Sequence, residues 1–301
     1  MGNCHYVIVD KQHNVIDQSE NFPMSIKIHS CAKPFQLMPI CLLGLDHQYR
    51  LSAQDITIMS SSSLAQSNQV KILERLLDKT EIQISDLRID AMAPAGSIAY
   101  KNWVKSREKP SRLYHPCIGN HIAMYLAQRE LTGDGSDYLS KDSAVQRIIF
   151  QLVSEACEDD RISIDTDTCG SPCYIMSLQA LARAYVNLCF HGNSSFSCRY
   201  KRIIKYLRNS FAQSPVLLEG DGCLSTVLSS HKGLFGKTGA NGVLGISVDD
   251  YNYGIAIYSP DNKWHAVADT ICALLHKLGY ESKALYDDLE MYSIACCGYS
   301  A

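Results

Sequence analysis

Strand-like segments lie at the two ends of this chain, and helical segments fill the middle. Near the start, residues 6–10 and 15–17 are apolar runs separated by polar residues, which is typical of a hairpin. Near the end, three further runs at 236–240, 242–248 and 253–258 are separated by turn residues. Hairpin connections pair neighbouring strands antiparallel. The pattern predicts an α+β protein in which strands from both ends form one antiparallel sheet.

The middle of the chain has the spacing of helices. Ser52 and Asp55 resemble a helix cap with its acidic first turn, and residues 69–77 repeat apolar side chains at helical intervals. Residues 34–45 are also apolar and helical, although Pro39 is expected to kink that helix or end it early.

The two patterns together predict one catalytic unit over residues 1–301. We expect its sheet subdomain to be built roughly from 1–50 and 215–301, and its mostly helical subdomain from 51–214. The sequence shows no internal repeat and no disordered linker.

Bulk properties exclude several classes of partner. The formal net charge of the 301 residues is −3, with both signs scattered, which favours neither nucleic acid nor an anionic membrane. No apolar run approaches the length that spans a bilayer. The chain has thirteen cysteines, and its start has no basic-then-apolar signal segment. We therefore expect reduced thiols and a cytoplasmic protein.

Ser30 and Lys33 stand three residues apart at the start of a predicted helix, so they share one face of its first turn. A lysine whose pKa is lowered by burial can take the proton of a neighbouring serine, which makes the hydroxyl a nucleophile. The alternative is that Ser30 is a helix N-cap and Lys33 a solvated side chain, because Ser-x-x-Lys is a common spacing.

Two later segments favour the catalytic interpretation. A run of four serines at 60–63 lies between predicted helices, and Lys237-Thr238-Gly239 lies on a late strand. Serine β-lactamases and penicillin-binding proteins use a nucleophile with its lysine, a middle serine and a Lys-Thr-Gly strand in this order. In that chemistry the first serine attacks a carbonyl, a lysine accepts its proton, and the second serine passes a proton to the leaving amine.

The segments around these motifs resemble the rhizobial-type L-asparaginases, also called the asparaginase II family. Residues 30–36 read Ser-Cys-Ala-Lys-Pro-Phe-Gln where the family has Ser-Ser-Ala-Lys-Pro-Phe-Gln. Residues 115–121, 167–172 and 237–243 resemble three later family motifs and occur in family order. The resemblance implies a serine β-lactamase-like fold, hydrolysis of a small amide, and a homodimer.

The resemblance also implies a second Ser–Lys pair beside that of the first motif. This pair maps to Ser60 and Lys237. A small shift in the alignment would put Ser61 or Ser62 in the place of Ser60, so the choice among these serines stays open.

The family binds zinc near its substrate through two cysteines and a lysine. The cysteines map to Cys117 and Cys169, but the lysine position holds Asn120, whose neutral amide is a poor zinc ligand. His121 could complete a soft site with the two cysteines, and the alternative is a pair of buried reduced thiols. Zinc is therefore an open alternative, and the predicted chemistry requires no cofactor.

Substitutions relative to the family concentrate around the expected substrate. His29 replaces the arginine before the first serine, and Asn241 replaces a glutamate after the Lys-Thr-Gly strand. Asp167, His121 and Gly239 map beside the same pocket, where we expect them to contact substrate together with His29. Asp167 could instead belong to the shell around the metal. A histidine cannot clamp a carboxylate in the bidentate fork of an arginine. The pattern predicts retained acyl-transfer chemistry with altered substrate contacts.

The sequence therefore predicts an amidohydrolase that cleaves L-asparagine or a related small amide, forms an acyl-enzyme on Ser30 and releases ammonia. Two enzymatic alternatives use the same site: an acyltransferase, and a β-lactamase or peptidase-like hydrolase. A further alternative is a family member that binds an amino acid without turnover.

Overall fold

The computed structural model describes residues 4–20, 23–159 and 161–297. The strands in these ranges are β1 (His5–Val9), β2 (Val15–Gln18), β3 (Ile26–Lys27), β4 (Ser163–Thr166), β5 (Pro172–Met176), β6 (Leu234–Gly239), β7 (Val243–Val248) and β8 (Tyr253–Tyr258). The helices are α1 (Lys33–Gln36), α2 (Met38–Leu42), α3 (Leu45–Gln48), α4 (Ala53–Met59), α5 (Ser67–Thr80), α6 (Ser97–Ser106), α7 (Ile118–Thr132), α8 (Ala144–Cys157), α9 (Leu178–Val186), α10 (Ser195–Arg199), α11 (Lys201–Gln213), α12 (Leu224–Ser230), α13 (Trp264–Lys277) and α14 (Lys283–Cys297).

The main sheet has five antiparallel strands in the order β2-β1-β8-β7-β6. The first strand pairs with the last, and Val7 lies opposite Ala256. At the far edge, Lys237 on β6 lies opposite Gly245 on β7. The predicted α+β class, with one sheet built from both ends of the chain, is confirmed.

Except at the edge strand β2, the main sheet is buried on both faces. Val7 and Val9 on β1 join the larger hydrophobic core, which contains most of the central helices, whereas Ile8 joins a smaller core with α12, α13 and α14. This alternation follows from the period of two along a strand. On β8, a Cβ atom at Gly254 would lie 2.0 Å from the carbonyl oxygen of Ala182. Only glycine therefore allows α9 to pack so closely on the sheet.

A second sheet of three short antiparallel strands, in the order β3-β5-β4, was not expected from the sequence. In the sequence, residues 25–29 indicate only a short connection into Ser30, and the run from Ile162 indicates one strand that ends in a tight polar turn. β3 has two residues and is too short to show an alternating pattern. This sheet fixes the chain immediately before Ser30, because Ile28 donates its backbone N–H to Tyr174 O at 3.0 Å.

The predicted helix at 34–45 is divided into short pieces. A 3-10 turn at His29–Ala32 leads into α1, α2 and α3. Pro39 lies in the first turn of α2, where its missing N–H costs no hydrogen bond, so the expected interruption at Pro39 is confirmed. Gly44, with φ of 71°, begins α3 in a left-handed conformation.

The last helix, α14, was not predicted from the sequence. It packs against α13 and α12 and contributes Leu285 and Leu289 to the smaller core. Its Tyr292 reaches the pocket described below. None of the helices in the described ranges has both the length and the hydropathy that crossing a bilayer requires.

Candidate active site

A cavity of about 420 Å³ opens where the two sheets and the central helices meet. Its wall includes Ser30, Ser62, Cys117, Asp167, Glu219 and Gly239. Two glycines allow the elements around it to approach. A Cβ at Gly239 would lie 2.6 Å from Ile28 O, and a Cβ at Gly119 would lie 2.0 Å from Ile58 O. The first contact brings β6 against the segment before Ser30, and the second brings α7 against the end of α4.

Residues 60–63 form a turn after α4, which we call the serine elbow. Its position depends on distant parts of the chain, because Ser62 N donates to Leu218 O at 2.8 Å and Ser63 N donates to Pro116 O at 3.0 Å. Within the elbow, only Ser62 contacts the two lysines through its hydroxyl. Lys237 Nζ donates to Ser62 Oγ at 2.9 Å, and Lys33 Nζ donates to it at 3.3 Å.

The predicted pairing of Ser60 with Lys237 is wrong, because Lys237 contacts the Ser62 hydroxyl instead. The side chains of Ser60 and Ser61 are fully buried, and their hydroxyls have no hydrogen-bond partner among the described residues. Ser62 occupies the predicted place, because the turn after α4 directs its side chain, and not that of Ser60, towards the pocket.

Lys33 is buried and lies between the elbow and Cys117. Its ammonium group donates to the Ser61 backbone carbonyl and lies 3.6 Å from Cys117 Sγ. Ser30 is half-buried on the pocket wall, and no hydrogen bond within the described residues joins its hydroxyl to Lys33. Catalytic hydrogen bonds are often formed only when substrate is bound, so the two groups remain a candidate pair on one turn.

Lys237 is fully buried, and burial lowers its pKa to about 8. The nearby Glu219 carboxylate opposes that change and favours the charged form, whereas Lys33 favours the neutral form. Lys237 also donates to its neighbour's carbonyl, Thr238 O, at 3.1 Å. An ammonium group with this pKa can exchange its proton near neutral pH.

Glu219 is a site residue that the sequence interpretation missed. Its Oε1 accepts from Thr238 Oγ1 at 3.1 Å, and its Oε2 accepts from the backbone N–H of Ser225 at 3.2 Å. Glu219 directly precedes Gly220-Asp221-Gly222, which in the sequence indicates only a turn before a short helix. The sequence shows a carboxylate next to a turn, but it does not show that this carboxylate contacts the Lys-Thr-Gly strand. Glu219 therefore could not be assigned to the site from the sequence alone.

Cys117 and Cys169 are brought together, as predicted. A hydrogen bond from Cys169, together with the nearby Lys33, holds the pKa of Cys117 well below its ordinary value although burial opposes this. The same contact and burial raise the pKa of Cys169. Cys117 N also donates to His115 Nδ1 at 3.0 Å, so His115 lies on the pocket wall with Nδ1 as an acceptor.

These residues do not fit the zinc that the resemblance implies. The amide nitrogen of Asn120, at the position of the family's lysine, is buried without a hydrogen-bond partner in the described residues. No third histidine, cysteine or carboxylate of the described ranges lies within ligand distance of both Cys117 and Cys169. A zinc ion bound to Cys117 would also be repelled by the Lys33 ammonium group, whose nitrogen lies 3.6 Å from the Cys117 sulfur. We assign no step of the reaction to a metal at this place.

His121 does not reach the pocket, so its predicted contact with substrate is wrong. Its ring is fully buried, and its Nδ1 lies 2.7 Å from the hydroxyl of Tyr138. Tyr138 accepts from the backbone N–H of Arg88 and therefore donates its own hydrogen to His121. Burial lowers the pKa of His121 to about 3, so the ring is neutral and structural.

His29, Asp167 and Asn241 form one hydrogen-bonded group, which we call the pocket rim. His29 Nδ1 lies 3.1 Å from Asp167 Oδ1, and His29 Nε2 lies 3.2 Å from the side-chain amide of Asn241. Burial opposes ionisation of Asp167, but hydrogen bonds from His29 and the Thr168 backbone hold its pKa below the ordinary value. His29 and Asn241, two positions at which this chain differs from the family motifs, therefore contact each other.

The pocket wall has two serine hydroxyls, those of Ser30 and Ser62, and Ser62 contacts two buried amines. Serine hydroxyls close to lysine amines are typical of acyl-transfer enzymes. The model of the L-asparaginase II family matches residues 1–295, so the chain belongs to that family, and the resemblance seen in its motifs is confirmed. Family membership defines it as an asparaginase-like amidohydrolase. A search of curated proteins found no significant match.

Two solved structures are similar in overall shape. A β-lactamase from Mycobacterium bovis is 11% identical, with a TM-score of 0.39 over 86% of this chain and 87% of that one. A β-lactamase candidate from Bacteroides dorei is 10% identical, with a TM-score of 0.44 over 86% of this chain and 85% of that one. Both scores are below 0.5, so these similarities support no inference about chemistry.

Proposed function

We propose that this protein hydrolyses a small linear amide, L-asparagine or a close relative, through an acyl-enzyme on Ser30, with water as the second substrate and ammonia as the first product. One observation carries the proposal. The Ser62 hydroxyl accepts hydrogen bonds from both Lys33 and Lys237 on the wall of a pocket that also contains Ser30. A cavity of about 420 Å³ suits a small molecule.

The two hydrogen bonds to Ser62 determine the role of its own hydrogen. Because Ser62 Oγ accepts from both lysines, its hydrogen is left for a group in the pocket, and the described contacts offer it no other acceptor. That is the arrangement needed to protonate a leaving nitrogen. Lys237 then replaces the proton that Ser62 gives away.

The steps balance as follows. Lys33 first releases one proton to solvent. Ser30 Oγ then forms a bond to the amide carbonyl carbon, and its proton passes to the Lys33 amine. The carbon–nitrogen bond breaks while Ser62 protonates the nitrogen and Lys237 reprotonates Ser62, so ammonia leaves. Water then attacks the ester, its proton returns to Lys237, and Lys33 returns a proton to Ser30.

The pocket rim supports an altered substrate preference. Where the resemblance leads us to expect an arginine that clamps a carboxylate, His29 is paired with Asp167 and Asn241. A single imidazole cannot give the bidentate contact, so substrates with a free α-carboxylate lose part of their advantage.

We further propose that the protein is a homodimer, that it is cytoplasmic, and that residues 1–301 form a single catalytic unit. Light scattering during gel filtration tests the dimer.

Ammonia release from a panel that contains L-asparagine, L-glutamine and amides without an α-carboxylate tests the proposal. We expect turnover of at least one amide and a loss of at least about 1000-fold in Ser30→Ala. Ser60→Ala is the matched control, because it removes a serine hydroxyl from the neighbouring elbow that has no contact with the lysines, and it should retain full activity. Equal activity of Ser30→Ala and the unmodified protein would contradict the assignment of the nucleophile.

A further inference from the structure

We infer that His29, Asp167 and Cys173 form a zinc-binding site, separate from the pair Cys117 and Cys169. An imidazole nitrogen, a carboxylate oxygen and a thiol sulfur of these three residues all lie within 4.8 Å of one another. This mixed nitrogen, oxygen and sulfur set is the donor chemistry that zinc takes in proteins. The inference does not depend on the proposed function, because metal binding is measured without substrate.

The small sheet brings the three ligands together. His29 follows β3, and Cys173 lies on β5, opposite Asp165 on β4. Asp167 begins the turn that joins β4 to β5, and this turn is closed by a hydrogen bond from Asp167 N to Ser171 O at 2.8 Å. His29 and Cys173 are buried, so two of the three ligands are already held in place by packing.

The distances are close to those of a tetrahedral ion. Two ligands that are each about 2.0–2.1 Å from zinc lie roughly 3.3 Å apart. His29 Nδ1 and Asp167 Oδ1 are 3.1 Å apart, so an ion can replace their hydrogen bond with little movement. Around a tetrahedral ion the Cys173 sulfur would lie roughly 3.6 Å from the imidazole nitrogen. The ligand atoms of the three residues are already no more than 4.8 Å apart.

Asn241 can hold the His29 ring in the orientation that a metal needs. When Nδ1 binds an ion, Nε2 carries the ring hydrogen and requires an acceptor. The side-chain amide of Asn241 lies 3.2 Å from Nε2, and turning the amide presents its oxygen to that hydrogen. His29 also has a backbone φ of 46°, a left-handed conformation that is uncommon for histidine and is maintained here beside the pocket.

The charges also balance. Burial raises the pKa of Cys173 to about 12, so the metal-free thiol is neutral. When zinc binds, the S–H bond breaks, a sulfur–zinc bond forms and the proton leaves to water. One thiolate and the Asp167 carboxylate then neutralise the two charges of the ion. Lys33 adds a positive charge near Cys117 and also near Asp167, and Lys27, the lysine near Cys173, is paired with Asp165.

The test is zinc binding by the full chain, stripped with a chelator and then reloaded with zinc chloride. Bound metal is measured by elemental mass spectrometry after gel filtration. We expect one zinc per chain in the unmodified protein and in Cys117→Ser, and binding weakened by more than about tenfold in Cys173→Ser and His29→Gln. Cys189→Ser is the matched control, since Cys189 and Cys173 are both 2% exposed.

Cobalt provides a second measurement that reports the ligand itself. Cobalt loaded in place of zinc should show a thiolate-to-cobalt charge-transfer absorption that is lost in Cys173→Ser and kept in Cys117→Ser and Cys189→Ser. Circular dichroism and thermal unfolding verify that each variant is folded. Substoichiometric zinc in the unmodified protein, zinc lost from Cys117→Ser, or equal binding by all variants would each overturn the inference.

Discussion

The serine elbow and the pocket rim lie on the same cavity, but they relate to the family resemblance in opposite ways. At the elbow, Ser62 lies between Lys33 and Lys237, as the resemblance implies for a second Ser–Lys pair. At the rim, His29 and Asn241 stand where the resemblance implies an arginine and a glutamate, and they contact each other. The difference indicates that the side chains suited to proton transfer, at the serine elbow, are separate from those suited to substrate selection, at the pocket rim.

The largest effect should come from removing the charge that supports the elbow. Lys237→Met should lower kcat/KM by about 100- to 10,000-fold, because Ser62 then lacks its proton donor. The buried methionine replaces a lysine that burial destabilises, so Tm should not fall. Steady-state kinetics and thermal unfolding measure the two effects. Lys105→Met, at an exposed lysine, is the control. Retained activity in Lys237→Met would remove the elbow from the chemistry.

The next effect concerns the rim. The double variant His29→Arg/Asn241→Glu introduces the pair of charges that the resemblance implies. We expect kcat/KM for L-asparagine to rise by about tenfold relative to an amide of equal length without the α-carboxylate, because a guanidinium binds a carboxylate in two places. Competition between the two amides measures the ratio. An unchanged ratio would show that the rim does not select the substrate.

A smaller effect should appear in the pH dependence. If Ser62 needs the charged form of Lys237, kcat/KM falls as pH rises through the Lys237 pKa of about 8. The negative charge of Glu219 raises that pKa, so Glu219→Gln should lower it and move the falling limb to lower pH. A pH–rate profile of both proteins measures the shift. Movement of the limb to higher pH, or no movement, would contradict the role of Lys237 as the proton donor.

The smallest effect compares two serines within the elbow. Ser63 Oγ donates to Gln69 Oε1 at 3.1 Å and accepts from Ala65 N at 3.0 Å, whereas Ser60 Oγ is buried without a partner among the described residues. Ser63→Ala should lower the free energy of unfolding by about 1–2 kcal/mol, and Ser60→Ala should change it little or raise it by up to about 1 kcal/mol. Urea denaturation measures both, and a larger loss in Ser60→Ala would contradict the structure of the elbow.

Patterns that depend on neighbours in the sequence were predicted correctly. The β1–β2 hairpin, the three C-terminal strands and the cap at Ser52, which accepts from Asp55 N, all follow from local patterns. Neither the existence of β3 nor its pairing could be predicted in this way. β3 has only two residues and shows no period, and it pairs with β5, which is distant in sequence.

The choice among the serines failed for a similar reason. Ser60, Ser61 and Ser62 are chemically identical in the sequence, and the direction of each side chain depends on how the chain leaves α4. Backbone hydrogen bonds to Leu218 and Pro116 determine that direction, and both residues are far away in sequence. A local pattern could therefore predict a serine elbow but could not select the serine.

Intact-protein and peptide mass spectrometry of a trapped acyl-enzyme tests the central proposal most directly. The protein is mixed with an activated ester of the substrate acid, whose leaving group needs no proton from Ser62, and the reaction is quenched with acid. We predict one added acyl group per chain on the peptide that contains Ser30, and no adduct in Ser30→Ala. An acyl group on the Cys117 thiol instead, or turnover of the ester without any adduct on Ser30, would contradict the account.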